Sequence, residues 1–236
     1  MYYFMFDNYS SRNQAIANIN EYEKKVCEDC GAIFTSLKGI YQFRVMGSLR
    51  DYYLVSGTPV ISERFLNVLQ ENGYTGYEIS ETKTFKGTVT KIGDPLKEKY
   101  YRLKVTGRCG LLRNVNNEEL PHCKKCGARF LQTGLLTEGI SFDDTQYDGC
   151  DIFAFNNMSN IPIVSEKIRD LIIEKKFTNI NFIHLNEKVF DDRISQNLVN
   201  KWLAEGKASN ELIEAWLKYG VLTEQELNEQ LDKSND

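Results

Sequence analysis

From Thr58 to Ile79 the chain reads TPVISERFLNVLQENGYTGYEI, and its apolar positions lay out a helix followed by a strand. Ser62 stands where an N-cap accepts an orphan amide hydrogen bond, and Glu63 falls in the first turn, where the helix dipole favours a negative charge. Phe65, Val68 and Leu69 share one helical face, and Gly73 is placed to end the helix. A short strand, Tyr77–Ile79, follows.

Residues 161–182, IPIVSEKIRDLIIEKKFTNINF, repeat this pattern without a gap. Pro59 aligns with Pro162, Ser62-Glu63 with Ser165-Glu166, Glu71 with Glu174 and Thr75 with Thr178. Ile168, Leu171 and Ile172 supply the second apolar face, and Ile180–Leu185 the second strand. The period is too long for a solenoid and two copies are too few, so the pattern predicts an internal duplication with two similar α/β lobes.

Other segments are predicted more simply. Tyr2–Phe6 reads as a first strand, and Thr82–Thr90 and Tyr100–Val105 as two more, with Asp94-Pro95 marking a turn between them. Ala15, Ile16, Ala17, Ile19, Tyr22 and Val26 are spaced in a roughly helical way over Ser11–Val26. After His184 the character changes. Leu198, Trp202 and Leu203 form one helical stripe, and Leu212, Ile213, Trp216 and Leu217 another. Gly206 and Gly220 punctuate them, and Thr223-x-x-Glu226 is a capping box opening a last short helix.

A second repetition carries the candidate chemistry. Residues 27–34 read CEDCGAIF and residues 123–130 read CKKCGARF. A CxxC turn presents two sulfurs to one metal, and a tetrahedral Zn²⁺ site needs four ligands. Cys27, Cys30, Cys123 and Cys126 supply them, and Gly31 and Gly127 suit the sharp turns of zinc knuckles. Positions 31–122 separate the pairs, far more than in an ordinary zinc ribbon. The duplication offsets this, because related lobes packed about a pseudo-twofold axis bring their knuckles together. The expectation is one shared structural Zn²⁺; the alternative is two reduced pairs in ordinary turns. The cysteine pairs are spaced seven residues closer than the helices, so an insertion in the second copy reconciles them. A redox CxxC would open a helix after a strand, and neither copy does so.

Composition narrows the function classes. The 236 residues are 42% hydrophobic and 26% charged, ordinary for a soluble globular protein. The net charge of −4 lacks the basic excess of a general nucleic-acid binder. MYYFMFDNYSSRN has no basic n-region of a signal peptide, and no run reaches membrane-span length, so a cytoplasmic location is expected. There six cysteines are reduced or metal-bound rather than disulfide-bonded. Cys109 and Cys150 read as small buried residues, His122 as a turn histidine and His184 as a structural strand residue. No nucleophile–histidine constellation, GxGxxG or P-loop is present. Glu63 and Glu166 can be posed as an acid/base pair, but helix capping accounts for both without chemistry. No catalytic or cofactor-binding residue is assigned.

With these residues in place, the chain resembles the bacterial double-CxxCG-motif immunity proteins of polymorphic-toxin and swarming-inhibition systems. The two CxxCG motifs, 27–31 and 123–127, carry the resemblance together with GCDIFAFNN…IPIVSEKIRDLIIEKKFTNINFIHL from Gly149 to Leu185. It covers residues 1–187; the helical tail departs from the pattern, as does the Lys-, Asn- and Ile-rich composition. The resemblance implies a cytoplasmic, non-enzymatic protein that binds and neutralises a cognate toxin protein. The competing reading is a zinc-ribbon nucleic-acid-binding or regulatory protein, with Lys124, Lys125 and Arg129 on phosphates; Glu28 and Asp29 at the matching places of the first knuckle argue against it. The expected architecture is α+β: a first CxxCG α/β lobe (1–106), a second (107–188), a shared four-cysteine site joining them, and a helical tail (189–236).

Overall fold

The computed structural model describes residues 1–8, 15–114, 116–120, 122–128 and 139–187, and in the C-terminal segment 202–204, 206, 208, 210, 213, 214, 217 and 222–233. The architecture is mixed α+β, dominated by strands. The first half runs β1 (Tyr2–Asp7), β2 (Ala15–Ala17), β3 (Glu21–Val26), β4 (Ile33–Lys38), β5 (Tyr41–Val45), β6 (Tyr52–Val55), β7 (Thr58–Ser62), α1 (Glu63–Glu71) and β8 (Tyr77–Gly87). Then come β9 (Ile92–Pro95), β10 (Tyr100–Val105), β11 (Gly107–Arg108), β12 (Arg113–Asn114), β13 (Ile140–Ser141), β14 (Ile152–Phe155), β15 (Met158–Ser165), α2 (Glu166–Glu174), β16 (Ile180–His184) and α3 (Glu224–Lys233).

Two large sheets form. One has the order β2-β5-β8-β10-β7-β6, with β9 on β8; the other has the order β11-β14-β15-β1-β16. β1, β6 and β14 read as near-continuous apolar runs, YYFMF, YYLV and IFAF, because these strands are buried on both faces, whereas β8 and β9 are mostly exposed. Tyr3, Met5, Tyr52, Ile61, Leu103, Ile152 and Val164 face a shared central core, where α1 adds Phe65 and Leu69 and α2 adds Ile168 and Ile172. Alternate residues of the same strands face outward into flanking cores: Phe4, Phe153 and Ile163 on one side, Tyr53, Val55 and Val60 on the other.

The two sheets share one plan. β10 pairs with β7 in the register Tyr100↔Ser62, and β1 pairs with β15 in the register Tyr2↔Ser165. β10 meets β8 as Tyr101↔Glu81 through Val105↔Tyr77, and β1 meets β16 as Tyr3↔His184 through Asp7↔Ile180. The helices begin alike as well: the Glu63 amide donates to the Lys99 carbonyl and the Glu166 amide to the Met1 carbonyl. Thus β1, first in the chain, holds in the second sheet the place that β10 holds in the first.

Contacts between the halves are reciprocal. The Asp51 carboxylate accepts from the Thr178 amide at 2.9 Å and its hydroxyl at 2.8 Å. The Asp151 carboxylate accepts from the Thr75 amide and hydroxyl, each at 3.1 Å. Asp51 also accepts from the Ser62 hydroxyl and from Arg64 Nη2 at 2.9 Å, and is only 9% exposed. Burial alone raises its pKa, but Arg64, Thr178 and Ser62 outweigh this and hold the carboxyl below its usual range. A depressed folded-state pKa contributes stability at neutral pH that is lost as pH falls through that range. Denaturation of Asp51→Asn should therefore show a loss of about 2 kcal/mol at pH 7, from weakened charge-assisted bonds, and a difference from the native protein that shrinks as pH falls through and below the usual carboxylate range.

Several expectations meet the structure differently. Ser11–Val26 is not helical where described: Ala15–Ala17 and Glu21–Val26 are strands. Asp94-Pro95 is no turn but the end of edge strand β9, where Pro95 lies opposite Phe85. Ser62 accepts the Phe65 amide at 3.3 Å as an N-cap, whereas Ser165 occupies the matching position and its hydroxyl makes no cap bond. Cys109 is fully buried, but Cys150 only partly. In the tail, residues 202–204 are helical, and Leu203 and Leu222 are buried against Trp202, Ile213, Leu217 and Leu227. The capping box is formed, Thr223 Oγ1 accepting the Glu226 amide and Glu226 accepting the Thr223 amide. Leu198, Leu212, Trp216 and Gly220 lie outside the described residues.

Candidate metal centre and comparison with known families

The first cysteine pair sits at the tip of the β3–β4 hairpin. The Cys27 amide donates to the Ala32 carbonyl at 2.9 Å, and the Gly31 amide returns to the Cys27 carbonyl at 2.9 Å. The second pair repeats this turn: Cys123 to Ala128 and Gly127 to Cys123, both at 2.8 Å. Each turn needs a left-handed residue after its second cysteine, and Gly31 (φ 69°) and Gly127 (φ 71°) supply it. Close sequence similarity here is close geometric similarity.

The two turns meet. Cys27 Sγ lies 3.9 Å from Cys123 Sγ, Cys30 Sγ lies 3.6 Å from Cys126 Sγ, and the four sulfurs all fall within 4.8 Å of one another. Tetrahedral thiolates around a metal with bonds of about 2.3 Å stand about 3.8 Å apart. The donor set therefore fits a structural metal, and the four thiols are compatible with holding one.

Charge favours binding at this spot. Backbone amides of Cys30 and Asp29 pull the Cys27 thiol down to about 7, so one thiolate forms near neutral pH. Burial pushes Cys30 up to about 12 and raises Cys126, because further negative charge in the same small volume has no partner. Lys125, from the second turn, reaches Glu28 Oε2 at 3.1 Å and Asp29 Oδ1 at 2.9 Å in the first. This exposed contact matches the acidic turn to the basic one and contributes little energy.

The histidines lie elsewhere. His122 Nδ1 is 2.9 Å from the Leu120 carbonyl, and its Nε2 faces Glu119 at 3.9 Å. His184 packs edge-on against Tyr3 at 5.2 Å. Glu63 and Glu166 sit at their helix starts, Glu63 bonded by Tyr101 and Glu166 beside the Met1 amine and Arg169. What sequence reasoning missed is the reciprocal Asp–Thr pairing. Thr75 and Thr178 stood in the aligned repeat, but nothing in the sequence linked them to Asp51 and Asp151.

Among the described residues, no helix is long and apolar enough to cross a membrane. The resemblance of the sequence to bacterial immunity proteins is borne out at the level of that class. The chain belongs to the family described as Immunity protein 43, whose model matches residues 46–191. The match spans both helix-bearing units and the second cysteine turn; it begins after the first cysteine turn and β1. No curated protein matches the chain.

Proposed function

We propose that this protein binds and neutralises a cognate toxin protein in the cytoplasm, as a non-enzymatic partner whose fold is locked by one structural Zn²⁺ on Cys27, Cys30, Cys123 and Cys126. Membership of an immunity-protein family over residues 46–191 carries the reading. Four soft thiolates with no open position suit a structural zinc rather than a catalytic one. Lys125, one of the cations a nucleic-acid reading needs, is engaged by two carboxylates, and Arg129 lies outside the described residues.

The architecture fits the same reading. Each unit begins with a Tyr-Tyr strand (β1, β10), continues to a CxxCG turn and ends with a strand, helix and strand. Matching registers and reciprocal Asp–Thr contacts support descent from one duplicated unit whose copies exchange their first strands. The metal then fastens copy to copy.

The test is affinity capture of the tagged protein from its native cells, with mass spectrometry of what co-purifies and metal analysis of the same preparation. One stoichiometric partner with a toxin-like C-terminal domain, and one zinc per chain, are expected. Co-purified nucleic acid with a steep salt dependence would overturn the assignment in favour of the regulator.

A further inference from the structure

The β3–β4 hairpin is exposed along nearly its whole length. Ile33 is 62% exposed, Val26 60% and Phe34 45%. β4 pairs with β3, and no described strand pairs its other edge. Register identifies what that edge offers. The Cys27 amide bonds the Ala32 carbonyl, so the pairs Lys25–Phe34, Glu23–Ser36 and Glu21–Lys38 face inward, and the amides of Ile33, Thr35 and Leu37 point away from β3. Unpaired strand edges of this kind are templates for another strand.

The edge borders a groove of about 650 Å³. Consecutive residues 33–37 line one wall, so an edge, not a face, meets the groove. The floor is the outer face of β10 at Arg102 and Lys104, with Arg108 beside it, and the β6–β7 turn and Asn160 close the far side. Among the described residues, three cations and no carboxylate line it, in a protein of net charge −4. Lys104 is paired with Glu78, and Arg108 Nη1 donates to the Val105 and Gly107 carbonyls. Arg102 makes no ion pair among the described residues and is only half-buried.

We propose that this groove receives an extended acidic segment of the toxin, which adds as a strand to the outer edge of β4. Its backbone bonds the outward-pointing amides of Ile33, Thr35 and Leu37, and its carboxylates lie over Arg102, Lys104 and Arg108. Apolar residues of the segment cover Ile33 and Phe34. The proposal rests on the toxin-binding reading above and assigns that reading its surface.

The experiment uses the full chain and the protein that it captures from its native cells. Affinity is measured for the native chain, for Arg102→Glu/Lys104→Glu, and for Thr35→Pro, which removes one outward amide from an edge strand without breaking a β3 bond. Unchanged metal content and circular dichroism establish that the variants fold. Both variants are expected to weaken binding at least tenfold, the native complex losing affinity as salt rises. If no toxin is captured by the native chain, the functional reading falls and the groove with it. If a toxin is captured and both variants bind within twofold of native, the groove alone is overturned. Sedimentation of the isolated chain as a dimer that Thr35→Pro makes monomeric would assign the edge to a second copy and also overturn the proposal.

Discussion

Replacing Cys123 with serine is expected to empty the metal site and loosen the whole molecule. Cys123 is buried, its sulfur 3.9 Å from Cys27, and among the described residues it has no equal substitute nearby, since His122 is held by Leu120 and Glu119. With three thiolates left, zinc content measured by mass spectrometry should fall from about one per chain to near zero. The site joins turns 96 positions apart in the chain, so its loss frees a long loop in the unfolded state and removes the bond between halves. A fall in Tm of roughly 10 °C is expected. Treating the native protein with a strong chelator should reproduce that shift. A variant retaining full zinc, or a native protein indifferent to chelator, would show that the four thiols are merely neighbours.

The second large effect is expected at Gly76. Its φ of 92° lies where side chains are strained, and an added Cβ would overlap the Ile152 carbonyl oxygen and crowd Cys150. The Gly76 carbonyl meanwhile accepts the amides of Thr106 and Gly107. The neighbour cannot give, because it is backbone at the start of β14 in the central core. Gly76→Ala should cost about 4 kcal/mol or more, read by urea denaturation, or prevent folding. The aligned position, Asn179, supplies the control: its φ is 65° and its amide side chain donates to the Tyr52 carbonyl at 2.7 Å. Asn179→Gly keeps the backbone geometry and loses that bond, so about 1 kcal/mol is expected. Similar costs at both sites would refute the steric account.

The aligned repeats made the helices and the meeting of the cysteine turns legible. Ser-Glu starts and apolar stripes are local signals, and a motif written twice is an invitation to pair. β3 was not legible. Its residues are exposed on both sides, so Tyr22 and Val26 recur without the alternation that a half-buried strand imprints. β9 hid behind Pro95, whose missing donor is harmless on an edge. The matching places of β1 and β10 in the two sheets left the faintest trace. Tyr-Tyr at positions 2 and 100 is two residues long, and the registers that give it meaning are long-range pairings that no local pattern encodes.

The place of β1 bears on how the chain is made. β1 leaves the ribosome before every other strand of its sheet, yet its neighbours there are β15 and β16, with Tyr3 opposite both Val164 and His184. At about 5–20 residues per second, its apolar side chains wait roughly 10–35 s for their partners to be synthesised. The first sheet, completed by β10, can close during translation; the second closes only when nearly the whole two-sheet body has emerged. Translation therefore imposes a delay between the emergence of β1 and the closure of its sheet.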